Sequence, residues 1–344
     1  MYVLKNQKSA VFRPRLPDWI RVKAYAGEGR KKVQDVISKL GLHTVCESAR
    51  CPNLGECWHK KAATFMILGD ICTRNCRFCA VKHGKPNSPD LSEPSKIADA
   101  VKTIGFKYVV ITSVTRDDLE DGGAEHFAKV IQQIRKVTPE SIYFSQLNRK
   151  VFCSPKPLSR ETMTKVLQNQ KTEHTSSCNK DRLVHNSDDI KIEVLTPDFN
   201  GDTLALKTVL DANPTVFNHN IETVKRLSSE IRTTATYEKS LNFLRDAFSI
   251  SDGSIPIKSG FMVGLGEDDK EVETTIMDLR NSGVSMLTIG QYLPPSLNHW
   301  PLERYVHPDI FEKWRHFALS LGFTNVASAP LVRSSYHAEA LAGQ

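Results

Sequence analysis

Six of the eight cysteines fall within a 34-residue window, and their spacing is typical of ligands to a metal cluster. They form two triplets, Cys46-x4-Cys51-x5-Cys57 and Cys72-x3-Cys76-x2-Cys79. Thiolate triplets suit iron–sulfur cubanes, because three cysteines hold three irons and leave the fourth iron open to a substrate or another ligand. Cys153 and Cys178 have no close cysteine neighbour, so we expect them to be free thiols.

Two other uses of these cysteines stay open on spacing alone. Structural zinc usually takes paired Cys-x-x-Cys units, and the window contains one such pair, Cys76 and Cys79. Disulfides are disfavoured because the chain is long enough to build a core without cross-links. The first residues also lack the apolar stretch of a secretory signal, so we expect a cytoplasmic protein.

Composition describes an ordinary globular chain with a modest positive charge. Among 344 residues, 40% are hydrophobic, and 46 Lys and Arg against 39 Asp and Glu give a net charge of +7. No run approaches the roughly 18 apolar residues that a membrane helix needs. The charge favours acidic partners, although a solvated basic surface is the plain alternative. Without a basic stripe interleaved with aromatics, nucleic-acid binding has little support.

Apolar, β-branched runs alternate with amphipathic stretches, which predicts a parallel sheet covered by helices. Candidate strands lie at 63–68, 107–112, 190–195, 215–218, 258–264 and 286–291. Candidate helices lie at 93–104, 123–137, 203–212, 220–230, 236–248 and 268–282, with Ser92 and Thr236 as predicted caps. Six such units predict an α/β fold, a partial (β/α)6 barrel whose active site lies at the carboxyl ends of its strands.

The predicted barrel occupies 61–330, and the two triplets lie on opposite sides of its first strand in the sequence. The second triplet directly follows the first strand, so the barrel presents it at its active end. The first triplet precedes that strand in an N-terminal extension, 1–60, which we expect to cover the barrel mouth together with a C-terminal tail, 331–344. The polar segment 141–189 has weak periodicity and is predicted to be a flexible insertion.

The second triplet, with Phe78 before its last cysteine, resembles the signature of the radical SAM superfamily. Within that superfamily, CESARCPNLGECW at 46–58 and VRSSYHA at 332–338 are similar to motifs of the lipoyl synthase family. Other blocks resemble that family in the same order, at 112–124, 193–199 and 218–224. The chain departs from the family pattern at Ala329, where glycine is expected before Pro330.

The resemblance implies a [4Fe–4S] cluster on the second triplet that cleaves S-adenosylmethionine to a 5′-deoxyadenosyl radical. It implies a sulfurtransferase that removes hydrogens from C6 and C8 of a protein-bound octanoyl-lysine and inserts two sulfur atoms. By the same resemblance, the sulfur comes from an auxiliary [4Fe–4S] cluster held by the first triplet. Its fourth ligand is Ser335, chosen over Ser334, although a local hydrogen bond is the plain alternative for a tail serine. Arg333 is expected to orient the tail or meet the substrate, with a surface ion pair as the alternative.

Further site residues and partners are also carried over from the resemblance. Ser113 directly follows the predicted second strand, and Gly122 and Gly123 lie further along in the segment after it. All three are expected to contact S-adenosylmethionine, although a plain turn is the alternative for the glycines. Asn218 and Asn220 end another strand, where they could hydrogen-bond the substrate or form a turn. The implied partners are octanoylated lipoyl carrier domains or the glycine-cleavage carrier protein, and a ferredoxin or flavodoxin-type electron donor. Lipoyl carrier domains are generally acidic, which suits the positive charge.

Overall fold

The computed structural model describes residues 15–22, 27–137, 190–232, 234–336 and 338. The predicted insertion at 141–189, with Cys153 and Cys178, lies outside these residues and stays a prediction. Within the described part of the chain, no helix combines the length and the apolar character needed to cross a bilayer.

The strands of the described residues form two parallel sheets. Their bounds are β1 Thr64–Ile67, β2 Ile71–Cys72, β3 Lys82–His83, β4 Tyr108–Ser113, β5 Lys191–Leu195, β6 Val216–Asn218, β7 Ile257–Val263, β8 Met286–Gln291 and β9 Asn325–Ser328. The larger sheet has seven strands in the order β1-β4-β5-β6-β7-β8-β9, and β2 pairs with β3 separately. Each strand of this sheet lies beside the next one along the chain, and β1 and β9 are its edges, which is the strand order of a partial barrel with seven strands where six were predicted. All six predicted strands form; β9 is an addition to them in the larger sheet, and the short strands β2 and β3 are further additions.

Helices cover the sheet and build the region that precedes it. Their bounds are α1 Glu28–Leu40, α2 Val45–Ser48, α3 Leu54–His59, α4 Glu93–Ile104, α5 Ala124–Val137, α6 Thr203–Asp211, α7 Lys225–Ile231, α8 Tyr237–Ile250, α9 Asp269–Asn281 and α10 Pro308–Ser320. Helix α1 packs against α3 and α4, and α2 packs against β1. Val33, Ile37 and Trp58 are buried in this layer, so the helices before β1 share the core of the barrel.

The two predicted helix caps have different outcomes. Thr236 caps α8 as predicted, because its hydroxyl accepts a hydrogen bond from the Lys239 amide over 3.2 Å. Ser92 is at the expected position before α4, but its side chain makes no capping bond. The Ser92 hydroxyl instead donates to Oδ1 of Asp90 over 2.6 Å. This carboxylate oxygen also accepts a hydrogen bond from the Ser92 amide.

The helix predicted at 220–230 is wrong in its first five residues, because α7 begins at Lys225. Before it, the amides of Ile221 and Glu222 both donate to the carbonyl of Gly260 in β7, each over 3.1 Å. Glu222 has a φ of 67° and accepts a bond from the Met262 amide. This segment follows β7 like a short strand, so its backbone is not free to form helical bonds.

We expect Gly123→Ala to lower the free energy of unfolding by about 3 kcal/mol. Gly123 has a φ of +93°, and an added Cβ would lie 2.3 Å from Cδ1 of buried Leu68. Gly105→Ala is the matched control, since its φ is +79° but no atom lies within 4 Å of an added Cβ. The control should lose only the left-handed strain, about 1 kcal/mol, in urea unfolding curves. Equal losses in both variants would contradict a role for the Leu68 contact.

Candidate functional site

The six described cysteines line one cavity of about 1040 Å³. Residues just beyond several strands line it too, namely Val114, Thr196, His219 and Tyr292. The cavity therefore reaches the carboxyl ends of the sheet, where a barrel presents its active site. All six described cysteines are free thiols, with no disulfide among them.

The first triplet is positioned by the ends of two short helices. The Cys51 amide donates to the Cys46 carbonyl over 3.0 Å as the chain leaves α2, and the Ala62 amide donates to the Cys57 carbonyl over 2.8 Å as it leaves α3. Both are the long closing bonds of Schellman motifs, which end a helix and turn the chain sharply. The backbone geometry of Cys46, Cys51 and Cys57 is thereby fixed by local hydrogen bonds.

Burial makes the thiols of the first triplet poor acids. It raises the pKa of Cys46 to about 11, and Cys51 adds to the rise. Burial also raises the pKa of Cys57 to about 12, with further repulsion from Cys46 and Cys51. The three sulfurs therefore interact electrostatically, and a bound cation would favour their thiolate forms. In the described residues, no group of three or more Cys, His, Asp or Glu is arranged to hold a metal ion. A cubane imposes a different requirement, because it spreads its thiolates over separate irons.

The second triplet carries hydrogen bonds that suit cluster ligands. The sulfur of Cys72 accepts the backbone N–H of Arg74 over 3.4 Å and that of Thr115 over 3.3 Å. Burial raises the pKa of Cys79 to about 12, and the nearby Cys76 and Cys72 raise it further. Hydrogen bonds to cluster sulfurs are one way in which proteins set cluster potentials.

Arg74 fastens the second triplet's loop to two strands. Its guanidinium donates to the carboxylate of Asp117 over 2.8 Å and to that of Asp198 over 2.7 Å, beyond β4 and β5 respectively. Burial alone would raise the pKa of Asp198, but its bonds and charge contacts with Arg74 lower it to about 2. The pairing is ionic, so it holds the loop at the carboxyl end of the sheet. Sequence reasoning missed Arg74, although a basic residue inside the cysteine loop was a visible signal.

The C-terminal tail is fastened to the segment that holds the first triplet. The amide of the Asn53 side chain donates to the Leu331 carbonyl over 2.7 Å. The Tyr336 hydroxyl donates to the Glu56 carboxylate over 3.1 Å. The tail therefore lies beside the first triplet, although the two are at opposite ends of the described chain.

Arg333, Ser334 and Ser335 all line the cavity. Burial lowers the pKa of Arg333, and the charge of Cys51 acts in the opposite direction, so the two groups attract. The Ser334 hydroxyl accepts a bond from the Asn220 side chain over 2.6 Å. The side chain of Ser335, by contrast, makes no hydrogen bond to the described residues, so its hydroxyl is available as a ligand.

Three buried polar atoms lie at neighbouring strand ends without a hydrogen-bond partner in the described residues. They are the side-chain oxygens of Ser113, Thr196 and Asn220, and all three residues line the cavity. Buried polar atoms are nearly always paired, so these three oxygens are candidate partners for a polar ligand or water between β4, β5 and β6. Thr196 was not predicted as a site residue, and its visible signals were its place at a strand end and in the 193–199 block that resembles the family.

Gly122 and Gly123 do not line this cavity. They form the turn into α5, with φ of +61° and +93°, and pack against Phe199 and Leu68. This geometry supports the turn alternative, and their contact with a cofactor stays a prediction. Asn218 is buried and donates to Glu193 over 2.8 Å.

His219 is a third residue that sequence reasoning missed. Its ring nitrogens lie 2.9 Å from the Thr196 carbonyl and 2.9 Å from the Ser240 hydroxyl. Burial lowers its pKa to about 4, and the charge of Arg232 lowers it as well. The ring is therefore neutral at neutral pH, its Nδ1–H donates to the Thr196 carbonyl and its Nε2 accepts from the Ser240 hydroxyl, so it forms a rigid wall of the cavity. Its signals in the sequence were the asparagines on either side of it and its place in the 218–224 block that resembles the family.

Comparison with known proteins agrees with this geometry. Family models match residues 66–279 as the radical SAM superfamily and residues 2–51 as the N-terminal domain of lipoyl synthase. A lipoyl synthase of Caldicellulosiruptor saccharolyticus is 46% identical over 94% of this chain and 96% of its own. That of Rubrobacter xylanophilus is 46% identical over 94% and 85%. A solved structure of Streptococcus suis SuiB bound to S-adenosylmethionine covers 80% of this chain and 53% of its own, with a TM-score of 0.51 and 7% identity, which shows a shared fold alone.

A partial parallel barrel with a cysteine triplet beyond its first strand defines a radical SAM enzyme, a class whose members use S-adenosylmethionine and a [4Fe–4S] cluster. Within that class, the chain belongs to the lipoyl synthase family. The predicted fold class and the resemblance to this family are both confirmed.

Proposed function

We propose that this chain inserts sulfur at C6 and C8 of an octanoyl group held in amide linkage by a carrier-protein lysine. The observation that carries the proposal is that both cysteine triplets and the serine-bearing tail line one cavity. A single cavity lets one substrate chain meet a hydrogen-abstracting centre and a sulfur-donating centre without leaving the protein. Relatives that match nearly the whole chain carry the name lipoyl synthase, which supports the same activity.

In this proposal the second triplet holds the cluster that binds S-adenosylmethionine, and the first triplet with Ser335 holds an auxiliary cluster. When bound, these groups supply the radical and the sulfur, which unactivated C–H bonds require because no neighbouring group polarises them. Ser113, Thr196 and Asn220 supply hydrogen bonds to the polar atoms of S-adenosylmethionine or substrate. The positive charge of Arg333 favours the thiolate of Cys51.

The walls of the cavity suit a saturated acyl chain. Met66, Val110 and Met262 line it among the polar groups, so an octanoyl chain has apolar contacts along its length. A serine oxygen is an unusual ligand beside thiolates. We infer that it binds iron more weakly than a fourth cysteine would, which suits a cluster that must release sulfide. A ferredoxin or flavodoxin-type protein is the proposed electron donor.

The test pairs cluster analysis with product detection. Protein reconstituted anaerobically with iron and sulfide is assayed for both elements, then mixed with S-adenosylmethionine, reductant and an octanoyl-lysyl peptide for mass spectrometry. We expect about eight irons per chain, from two cubanes, and a lipoyl product. About four irons, with deoxyadenosine but no thiolated peptide, would contradict the auxiliary cluster. A colourless protein would instead favour structural zinc.

A further inference from the structure

Three basic side chains stand where the cavity meets the surface. Arg50 follows α2, Lys61 follows α3, and Lys107 directly precedes β4. All three are exposed and all three line the cavity, so the cavity is open to solvent beside them. We call these residues the basic rim.

Two of the rim residues occupy a backbone conformation that glycine adopts more easily. Arg50 has a φ of 50° and Lys61 a φ of 55°, each one residue before the closing amide of its Schellman motif. Glycine is the usual residue there, because any side chain adds strain. The chain thus keeps a basic side chain at both helix ends at a cost in stability, which indicates that the charges serve a purpose outside the fold.

The rim charges are not neutralised within the described residues. Arg50, Lys61 and Lys107 form no ion pair there, whereas the neighbouring Lys60 binds the Glu56 carboxylate over 2.7 Å. The large exposed hydrophobic side chains of the described residues lie elsewhere and do not line the cavity. A partner that meets this rim is therefore recognised by charge and not by apolar contact.

We propose that the basic rim docks an acidic protein surface surrounding an acylated lysine. This rests on the proposed function, in which the acyl arm enters the cavity while the folded carrier stays outside. The carrier surface next to the modified lysine must then face the residues at the cavity opening. Three unpaired cations around that opening favour aspartate and glutamate at the matching positions of the carrier. The rim has no aromatic side chain for stacking bases, which disfavours a nucleic acid.

The test compares two triple charge reversals. The rim variant carries Arg50→Glu, Lys61→Glu and Lys107→Glu. Its matched control carries Lys239→Glu, Lys270→Glu and Lys313→Glu, which are exposed on α8, α9 and α10 and do not line the cavity. Both variants change the net charge equally. A difference between them therefore reports the position of the charges and not the overall electrostatic field of the protein.

We expect the rim variant to raise KM for an octanoylated lipoyl carrier domain about tenfold, with kcat little changed. KM for a short, uncharged octanoyl-lysyl peptide should stay within about twofold, and the salt dependence seen with the carrier should flatten. The control should behave like the unaltered protein. An equal rise in KM for the carrier in the control variant, or an equal rise in KM for the peptide in the rim variant, would overturn the proposal that the basic rim docks the carrier.

Two further measurements keep the outcome clear. Affinity for the carrier domain is measured without turnover, so a weakened rim variant supports docking even where product formation fails for another reason. Absence of product from the unaltered protein with the peptide would count against the proposed function instead. Displacement of the carrier by duplex DNA at equal charge concentration would overturn the proposal in favour of a general polyanion surface.

A glycine pair at the same positions tests the strain directly. Arg50→Gly with Lys61→Gly should raise Tm, because glycine fits the left-handed conformation, and should weaken carrier binding. Unchanged iron content in the rim and glycine variants checks that the first triplet is intact. A glycine pair that is stabilised and binds the carrier normally would show that these two charges do not dock it.

Discussion

Cys72→Ala is expected to abolish cleavage of S-adenosylmethionine, with deoxyadenosine formation falling by more than about a hundredfold. Replacing a residue that only hydrogen-bonds to a metal ligand typically lowers metal affinity or activity 10–100-fold, and this substitution removes a proposed ligand itself. It also removes the sulfur that accepts the amides of Arg74 and Thr115, so two donors lose their acceptor. The measurement is chromatographic quantitation of deoxyadenosine after anaerobic reconstitution and reduction.

Asn75→Ala is the matched control for this loss. Asn75 lies in the same loop between Cys72 and Cys76, is exposed, and does not line the cavity. It should retain most of the cleavage activity. Iron in the Cys72 variant should fall to the share bound by the first triplet. Deoxyadenosine formation near the unaltered rate in the Cys72 variant would remove the second triplet from the radical-generating site.

Ser335→Ala is expected to separate the two halves of the reaction. Deoxyadenosine should still form at a rate within about twofold of the unaltered protein, because the second triplet is intact. Lipoyl product should fall by more than about tenfold, because the auxiliary cluster loses its oxygen ligand. Mass spectrometry of an octanoyl-lysyl peptide, read together with deoxyadenosine in the same sample, gives both quantities.

The neighbouring serine provides the control. Ser334 lines the same cavity, but its hydroxyl is already held by Asn220 at 2.6 Å. Ser334→Ala should therefore lose one hydrogen bond and keep most of the product yield. The opposite pattern, with Ser334 essential and Ser335 dispensable, would exchange their roles. Normal yields in both variants would leave no serine ligand in the tail.

The sheet was predictable because its strands are buried on both faces and so consist of continuous apolar runs. The predicted strand at 286–291 matches β8, which is buried at all six positions. By contrast, β9 is half-buried at every position and begins and ends with Asn325 and Ser328, so it gives no such signal. Helix α10 was not predicted either. Its N-cap is His307, whose ring accepts a hydrogen bond from the Asp309 amide, and histidine is not among the residue types that usually cap helices.

The site was predictable where chemistry depends on local spacing. Each cysteine triplet can be recognised from a short segment of sequence. That these cysteines bind clusters stays a prediction. The supports of the site could not be seen in this way, because they join distant positions. Arg74 and Asp198 are 124 residues apart, and nothing near either one identifies the other. Sequence patterns also do not show that Thr196 keeps a buried hydroxyl unpaired.

The fastening of the tail has a consequence for how the protein is made. Asn53 and Leu331 are 278 residues apart, and Glu56 and Tyr336 are 280 apart. At a synthesis rate of roughly 5–20 residues per second, Cys57 is added to the chain roughly 15–55 seconds before residue 335. Throughout that interval the site of the first triplet has its three thiols but not Ser335. If Ser335 is the fourth ligand, loading of this site is a late step of maturation, and a factor delivering iron to the growing chain would meet an incomplete set of ligands.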